Sequence, residues 1–189
     1  MKKHIWIGMV GILLLSGCSS KSNFYQLHPK KQERYNSTHT KRATVIGIAE
    51  VEVAEYLHKS EVITRMSEGR ITVHEKDLWA GSFAKNIQSV LMHNIATLLP
   101  RYTFLNYPWE EPINDTYRIY VTIEQFDGYE TGSVTLQGRW SLVNKEDNSV
   151  LYSESIHYHA LSKGKTLDDI VDTQSQLLER LSRRIASKL

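Results

Sequence analysis

Tyr117-Arg118-Ile119-Tyr120-Val121-Thr122-Ile123 alternates without a fault. Tyr117, Ile119, Val121 and Ile123 fall on one side and Arg118, Tyr120 and Thr122 on the other. A period of two is a strand with one face on a core. Two later runs repeat it. Val134, Leu136, Gly138, Trp140 and Leu142 share a face, with Gln137, Arg139 and Ser141 opposite; along Val150–Leu161 the inward set is Val150, Tyr152, Ile156 and Tyr158. Phe126-Asp127-Gly128 breaks the first run and begins a turn that ends near Gly132, and Asn144–Ser149 makes the next turn. Three strands joined this way predict an antiparallel meander. Gly138, mid-strand, leaves room for a large neighbour, Trp140 or a helix residue.

Working outward, Thr44–Val53 also alternates, with Val45, Gly47, Ala49, Val51 and Val53 on one face and Glu50 and Glu52 opposite. Ala54–Lys59 is a loop. Glu61–Met66 and Arg70–His74 predict a hairpin around Ser67-Glu68-Gly69, Gly69 supplying the turn torsion. Asp77 reads as an N-cap. Behind it Trp79, Phe83, Ile87, Leu91, Ile95 and Leu98 make the apolar stripe of a helix of about six turns, stopped by Pro100. Ser82, Lys85, Gln88 and Ser89 form its polar face. Tyr102–Asn106 is a short strand, and the prolines of Tyr107–Pro112 exclude a central strand there. Thr166 and Asp169 predict a capping box. A second helix follows, lined by Leu167, Ile170, Val171, Leu177, Leu178, Leu181 and Ile185. Arg180, Arg183, Arg184 and Lys188 gather at its negative end. The fold class is α+β: two layers, a mainly antiparallel sheet with two long helices packed on one face.

The front of the chain is an address. Lys2 and Lys3 precede an apolar run, Ile5–Leu15, and Leu15-Ser16-Gly17-Cys18 closes it with small residues before the chain's one cysteine. The layout is that of a cleavable targeting segment, too short for a membrane span of roughly 20 residues. It resembles the bacterial lipobox, which implies acylation at Cys18 and cleavage before it. Two or three acyl chains hold permanently where one alone is marginal. Ser19, where a retention signal would place Asp, implies the outer membrane by analogy with enterobacterial sorting. The expected organisation is a signal peptide at 1–17, a lipidated N-terminus and tether at 18–42, and one domain at 43–189. A flexible tether of some 24 residues would span roughly 25–30 Å. Within it Phe24-Tyr25-Gln26-Leu27 is too apolar for a free linker and should dock on the domain as a short strand.

Removing the two lysines of the leader from the chain's 23 basic residues balances them against its 21 acidic ones. Balanced charge argues against a nucleic-acid partner. With Cys18 acylated, no thiol is left for a disulfide or a thiolate metal site. Catalytic signatures are missing: no Gly-x-Ser-x-Gly, no phosphate loop, no His-Glu-x-x-His. His157 and His159 project from one strand face and could share a metal, but no third ligand pairs with them. Asp168, Asp169 and Asp172 lie at a helix start, where acids belong. Glu110-Glu111 reads as a solvated charge pair. The expectation is a non-enzyme without metal or cofactor.

The pieces resemble, in order, the ABC-type transport auxiliary lipoproteins. They are Phe24-Tyr25-Gln26-Leu27; Val53-Ala54-Glu55-Tyr56-Leu57 followed by Val62-Ile63-Thr64-Arg65; Trp79-Ala80; Pro108-Trp109; Phe126-Asp127-Gly128; Leu136-x-Gly138-x-Trp140; and Leu181-Ser182-x-x-Ile185-Ala186. Ala54 stands where the family has proline, and His58-Lys59 where it has an Asp-Arg-like pair. The resemblance implies a non-enzymatic docking subunit of an intermembrane lipid transport system. Such a system has an MCE-domain protein that crosses the periplasm and in some cases an ABC transporter. The partner would then be the MCE-domain protein. Exposed sheet edges and a ring-like partner also allow a homo-oligomer.

Tyr56, Leu57 and Arg65 are the candidate partner-binding residues, an aromatic-aliphatic pair beside a cation. The competing expectation is that Tyr56 and Leu57 merely cover an edge of the core. Two other functions remain to be weighed: an assembly lipoprotein of a secretion or surface-fibre machine, and a periplasmic hydrolase with a dispersed site near His157 and His159.

Overall fold

The computed structural model describes residues 21–30, 44–109 and 112–189. The leader, Cys18, the middle of the expected tether and Glu110-Glu111 lie outside the described residues. In chain order the elements are β1 (Asn23–Tyr25), β2 (Val45–Ile48), β3 (Glu52–Val53), a 3-10 turn (Glu55–His58), β4 (Glu61–Ser67) and β5 (Arg70–Trp79). There follow α1 (Phe83–Leu98), β6 (Thr103–Asn106), β7 (Tyr117–Tyr129), β8 (Ser133–Asn144), β9 (Val150–Leu161) and α2 (Leu167–Ala186).

The alternating runs become the meander they predict: β7 pairs antiparallel with β8, and β8 with β9. Ile119, Val121, Ile123, Leu136, Trp140, Leu142 and Ile156 are all buried on the inner face. The remaining edge of β7 is shared by three strands in turn. β2 lies along Tyr117–Ile119, β3 along Thr122 and Ile123, and β4 along Gly128 and Tyr129, each parallel to it. β6 lines the far side of β2, β5 the far side of β4, and β1 the end of β5. The result is one curled, mixed sheet. The fold is α+β, but its antiparallel character is confined to three long ladders, and five short ladders are parallel. The cause is the order of partners: β2, β3 and β4 arrive from far upstream and all run with β7.

Both helices pack on the sheet and on each other around one core. Ile87, Leu91, Ile95, Leu178, Leu181 and Ile185 are sealed within it, each contributing about 2 kcal/mol by leaving water. The Thr166–Asp169 capping box forms as its spacing predicts.

Several local expectations are corrected. Asp77 is not an N-cap: β5 runs on through Asp77 and Trp79 because β1 pairs with them, and Asn23 donates to Asp77 at 2.8 Å. Gly81 at φ 112° then turns the chain, and Ser82 caps a helix of 16 residues by accepting from the Lys85 amide. Phe126-Asp127-Gly128 is not a turn but the buried continuation of β7. The ladder shifts register between Ile123 and Gln125, which explains the broken period. Gly138 makes room for the neighbouring backbone rather than for a side chain, since a Cβ there would strike the Thr122 carbonyl. Gly69 does not take positive φ. Val150, at the start of β9 beside a register shift, is exposed.

In β2 the inward residues are Ile46 and Ile48, in register with Tyr117 and Ile119; the odd-numbered set holds from Val51, buried in the core, to Val53, which faces Ile123. The parity changes in the stretch between β2 and β3, where Gln88 of α1, buried and not on a polar face, donates to the carbonyls of Ile48 (3.3 Å), Ala49 (3.0 Å) and Tyr107 (3.0 Å). The Ile48 carbonyl also accepts from the Tyr107 amide at 2.9 Å.

Phe24-Tyr25-Gln26-Leu27 docks as its apolar character predicts. Leu27 is buried, its amide donates to Asn86 Oδ1 at 2.7 Å, and the next residues form a strap over the helices. The His28 amide donates to Ser175 Oγ at 3.2 Å and the Lys30 amide to Asn94 Oδ1 at 3.1 Å. Lys30 Nζ meets Glu179 at 2.8 Å.

Candidate functional site

The gap between β3 and β4 along β7 is filled by the 3-10 turn, and this brings the candidate residues together. Leu57 points into the core, 5 % exposed, beside Trp79, Phe83 and Phe126. Tyr56 turns the other way, to the buried carboxylate of Asp127. Its hydroxyl donates to Asp127 Oδ2 at 2.6 Å. Arg65 Nε approaches both oxygens of the same carboxylate, at 3.0 and 2.9 Å, and Gln125 Nε2 donates to Oδ1 at 2.9 Å. The Arg65 guanidinium lies 5.3 Å from the Tyr56 ring centre.

Asp127 is fully buried, and an unpaired carboxylate there would be costly. Three donors converge on it instead. Burial, then the hydrogen bond to Asp127, pushes the Tyr56 pKa well above its ordinary value, so the phenol stays protonated. Burial works against the Arg65 charge, but the Tyr56 and Asp127 side chains hold its pKa above the usual one. Arg65 also donates to the Glu68 carbonyl at 2.9 Å, and the Tyr129 hydroxyl to Glu68 Oε1 at 2.7 Å. The tip of the β4–β5 hairpin is thus tied to β7. The oxygens of Asp127 are occupied and its partners are fixed donors, so the cluster fastens a turn and a hairpin to the sheet and offers no free base.

Sequence reasoning found Tyr56 and Arg65 but missed Asp127, Gln125, Glu68 and Tyr129. The available signal was Phe126-Asp127-Gly128, where an acid sits between two residues that face a core. Leu57 lies on the opposite side of the turn from Tyr56 and Arg65, so the three do not form one surface.

A second tie joins α2 to β9. Arg184 grips Glu154 with two hydrogen bonds of 2.8 Å and reaches the Tyr152 hydroxyl at 2.8 Å. A third sets Arg118 between Asp115, at 2.7 and 2.9 Å, and the Trp109 ring, 4.5 Å away. Gly47 lies beside it, where a Cβ would come within 2.6 Å of Asp115. His157 and His159 are exposed on the outer face of β9. Among the described residues no group of three or more His, Cys, Asp or Glu is placed to hold a metal, and no helix is long and apolar enough to cross a membrane.

The arrangement of sheet and helices is shared by solved structures. One is a crystal structure of an uncharacterized protein, with a TM-score of 0.74 at 20% identity over 89% of this chain and 98% of that one. Another is a protein from Xanthomonas campestris, with a TM-score of 0.71 at 12% identity over 87% and 93%. These likenesses define the fold. Sequence carries the relationship further. The chain is 30% identical over 145 residues to the intermembrane transport lipoprotein PqiC of Escherichia coli K12, covering 75% of this chain and 74% of that protein. Residues 25–186 match the model of the ABC-type transport auxiliary lipoprotein component, and the chain belongs to that family. It is a lipoprotein-type auxiliary component of an envelope transport system, and its relatives are transport auxiliaries rather than enzymes.

Proposed function

We propose that the chain is acylated at Cys18, sits on the periplasmic face of the outer membrane, and serves without catalysis as a docking subunit for the MCE-domain protein of an intermembrane lipid transport system. Residues 1–17 are the cleaved leader and the rest folds as a single domain behind a short lipidated N-terminus. The observation that carries the docking assignment is the Asp127 tie: it holds Tyr56 and Arg65 rigid at the junction of turn, hairpin and central strand. Preorganised aromatic and guanidinium groups bind with little entropic loss. Leu57 supports this surface from beneath, as the plug that seats the turn. The relationship to PqiC, an intermembrane transport lipoprotein, supports the choice of system.

The test is affinity recovery from detergent-solubilised membranes, with thermal melting of each variant alongside. Tyr56→Ala/Arg65→Ala removes the presented groups, and Asp127→Asn loosens the same tie from below without removing them. The expected result is recovery of an MCE-domain protein with the wild type, reduced at least several-fold with the double variant and reduced less with Asp127→Asn, which loosens the two groups but leaves them present. Unchanged recovery with the double variant removes these residues from the interface. Recovery of secretin or fibre subunits instead transfers the protein to the assembly-factor reading.

A further inference from the structure

The docked strap shortens the leash between lipid and body. Asn23 is already paired with Asp77, so only five residue steps separate it from Cys18. Fully extended, five residues reach about 17 Å. β1 is hydrogen-bonded along β5, the Ala80 amide donates to the Tyr25 carbonyl at 2.8 Å, and Leu27 is anchored in the core, so the docking point is fixed. A body tethered this closely must stand on the bilayer at the place where the leash leaves it.

That place is an apolar edge. β1 is the outermost strand on its side of the sheet, and beyond its three residues β5 is itself the edge. Phe24, in register with Leu78, is 68% exposed, and Ile71 and Val73 on β5 are 37% exposed each. Tyr25 and Trp79 face the core, so Phe24 and Leu78 point away from it; Thr64, in register with Gly128 beneath α2, also faces inward, so Ile63 and Arg65 and their partners Val73 and Ile71 share the outer face with Phe24. The charges along this edge are mixed: Lys21, Arg70 and Lys76 stand among Glu68, Glu75 and Asp77. An exposed aromatic residue among aliphatics, bordered by charged side chains, suits the headgroup boundary of a bilayer.

We propose that this edge, with Phe24 at its centre, rests in the headgroup layer of the membrane that holds the lipid anchor. The contact rests on the anchoring reading above and adds an orientation to it. The sheet stands edge-on, and Arg65, in register with Ile71 one strand in from that edge, is held about 5 Å above it at the usual strand spacing. The partner-binding residues therefore lie close above the membrane contact.

The experiment uses the acylated chain in vesicles of phosphatidylethanolamine and phosphatidylglycerol. Cys18 carries the lipid, so a cysteine introduced elsewhere takes a single label. An environment-sensitive fluorophore is placed through Phe24→Cys at the edge or through Leu151→Cys on β9, at the other end of the meander. At position 24 the emission should shift to the blue on reconstitution and iodide quenching should fall at least three-fold, while position 151 stays fully quenchable. Equal quenching at both positions, or protection at both, overturns the orientation. Flotation is scored separately with Cys18→Ser as control. If the unmutated chain fails to float, the anchor itself is absent and the orientation falls with it; floating with an unprotected position 24 removes the orientation alone.

Discussion

Asp127 shows how much one side chain organises. It is fully buried and receives Tyr56, Arg65 and Gln125. Breaking a buried ion pair by removing one partner typically costs about 3 kcal/mol or more, while losing one neutral hydrogen bond costs about 1 kcal/mol. Asp127→Asn should therefore lower urea-unfolding stability clearly more than Tyr56→Phe; equal, small losses would show that the carboxylate is not the hub. Acid sensitivity belongs to this scale as well. Hydrogen bonds from Arg184 hold the Glu154 carboxyl below its ordinary value of 4.5. A depressed folded-state pKa contributes stability that is present above the unfolded value and is lost as pH falls through the folded one. Melting temperature should hold above about pH 5 and fall below 4.5, and Glu154→Gln should flatten that fall. Tyr56 and Arg65 were legible as candidates because an aromatic and a cation sat in suggestive segments. Asp127 was not, because its three partners are set by ladder register and no local pattern records it.

Among the elements, strands were easier to read than their ends. β7, β8 and β9 were legible because the period of two survives in each. The start of α1 was not: Trp79 and Phe83 satisfy helical spacing equally well as the last residue of a strand and the first of a helix. Only β1 pairing and the positive φ of Gly81 decide between them. The two helices are held to the sheet by close approaches that can be tested. A Cβ on Gly128 would come within 2.6 Å of Ile170, so Gly128→Ala should cost about 1–3 kcal/mol. Combined with Ile170→Ala it should cost less than the sum of the single changes, as measured in a double-mutant cycle; strict additivity would mean that α2 does not pack there. Thr166→Ala should remove the cap of α2 at about 1 kcal/mol, seen as a melting temperature lower by roughly 2–4 °C.

For the whole molecule, the period of two could announce strands but not their neighbours, so the parallel ladders against β7 were illegible. The docking of Phe24–Leu27 was legible from its apolar content, and its effect on the leash was not, because the length of a tether depends on where the chain first touches the body. Leu27→Ala should cost roughly 2–5 kcal/mol and raise protease cleavage within 21–30; a strap that stays protected would mean its hydrogen bonds suffice alone. The sharing of β7 also has a consequence for biogenesis. A growing polypeptide delivers β2, β3 and β4 long before the strand they all need, and closing such distant pairs is slow. Until β7 joins them, β2, β3 and β4 each keep one edge open, and an open edge is a template for pairing with another chain.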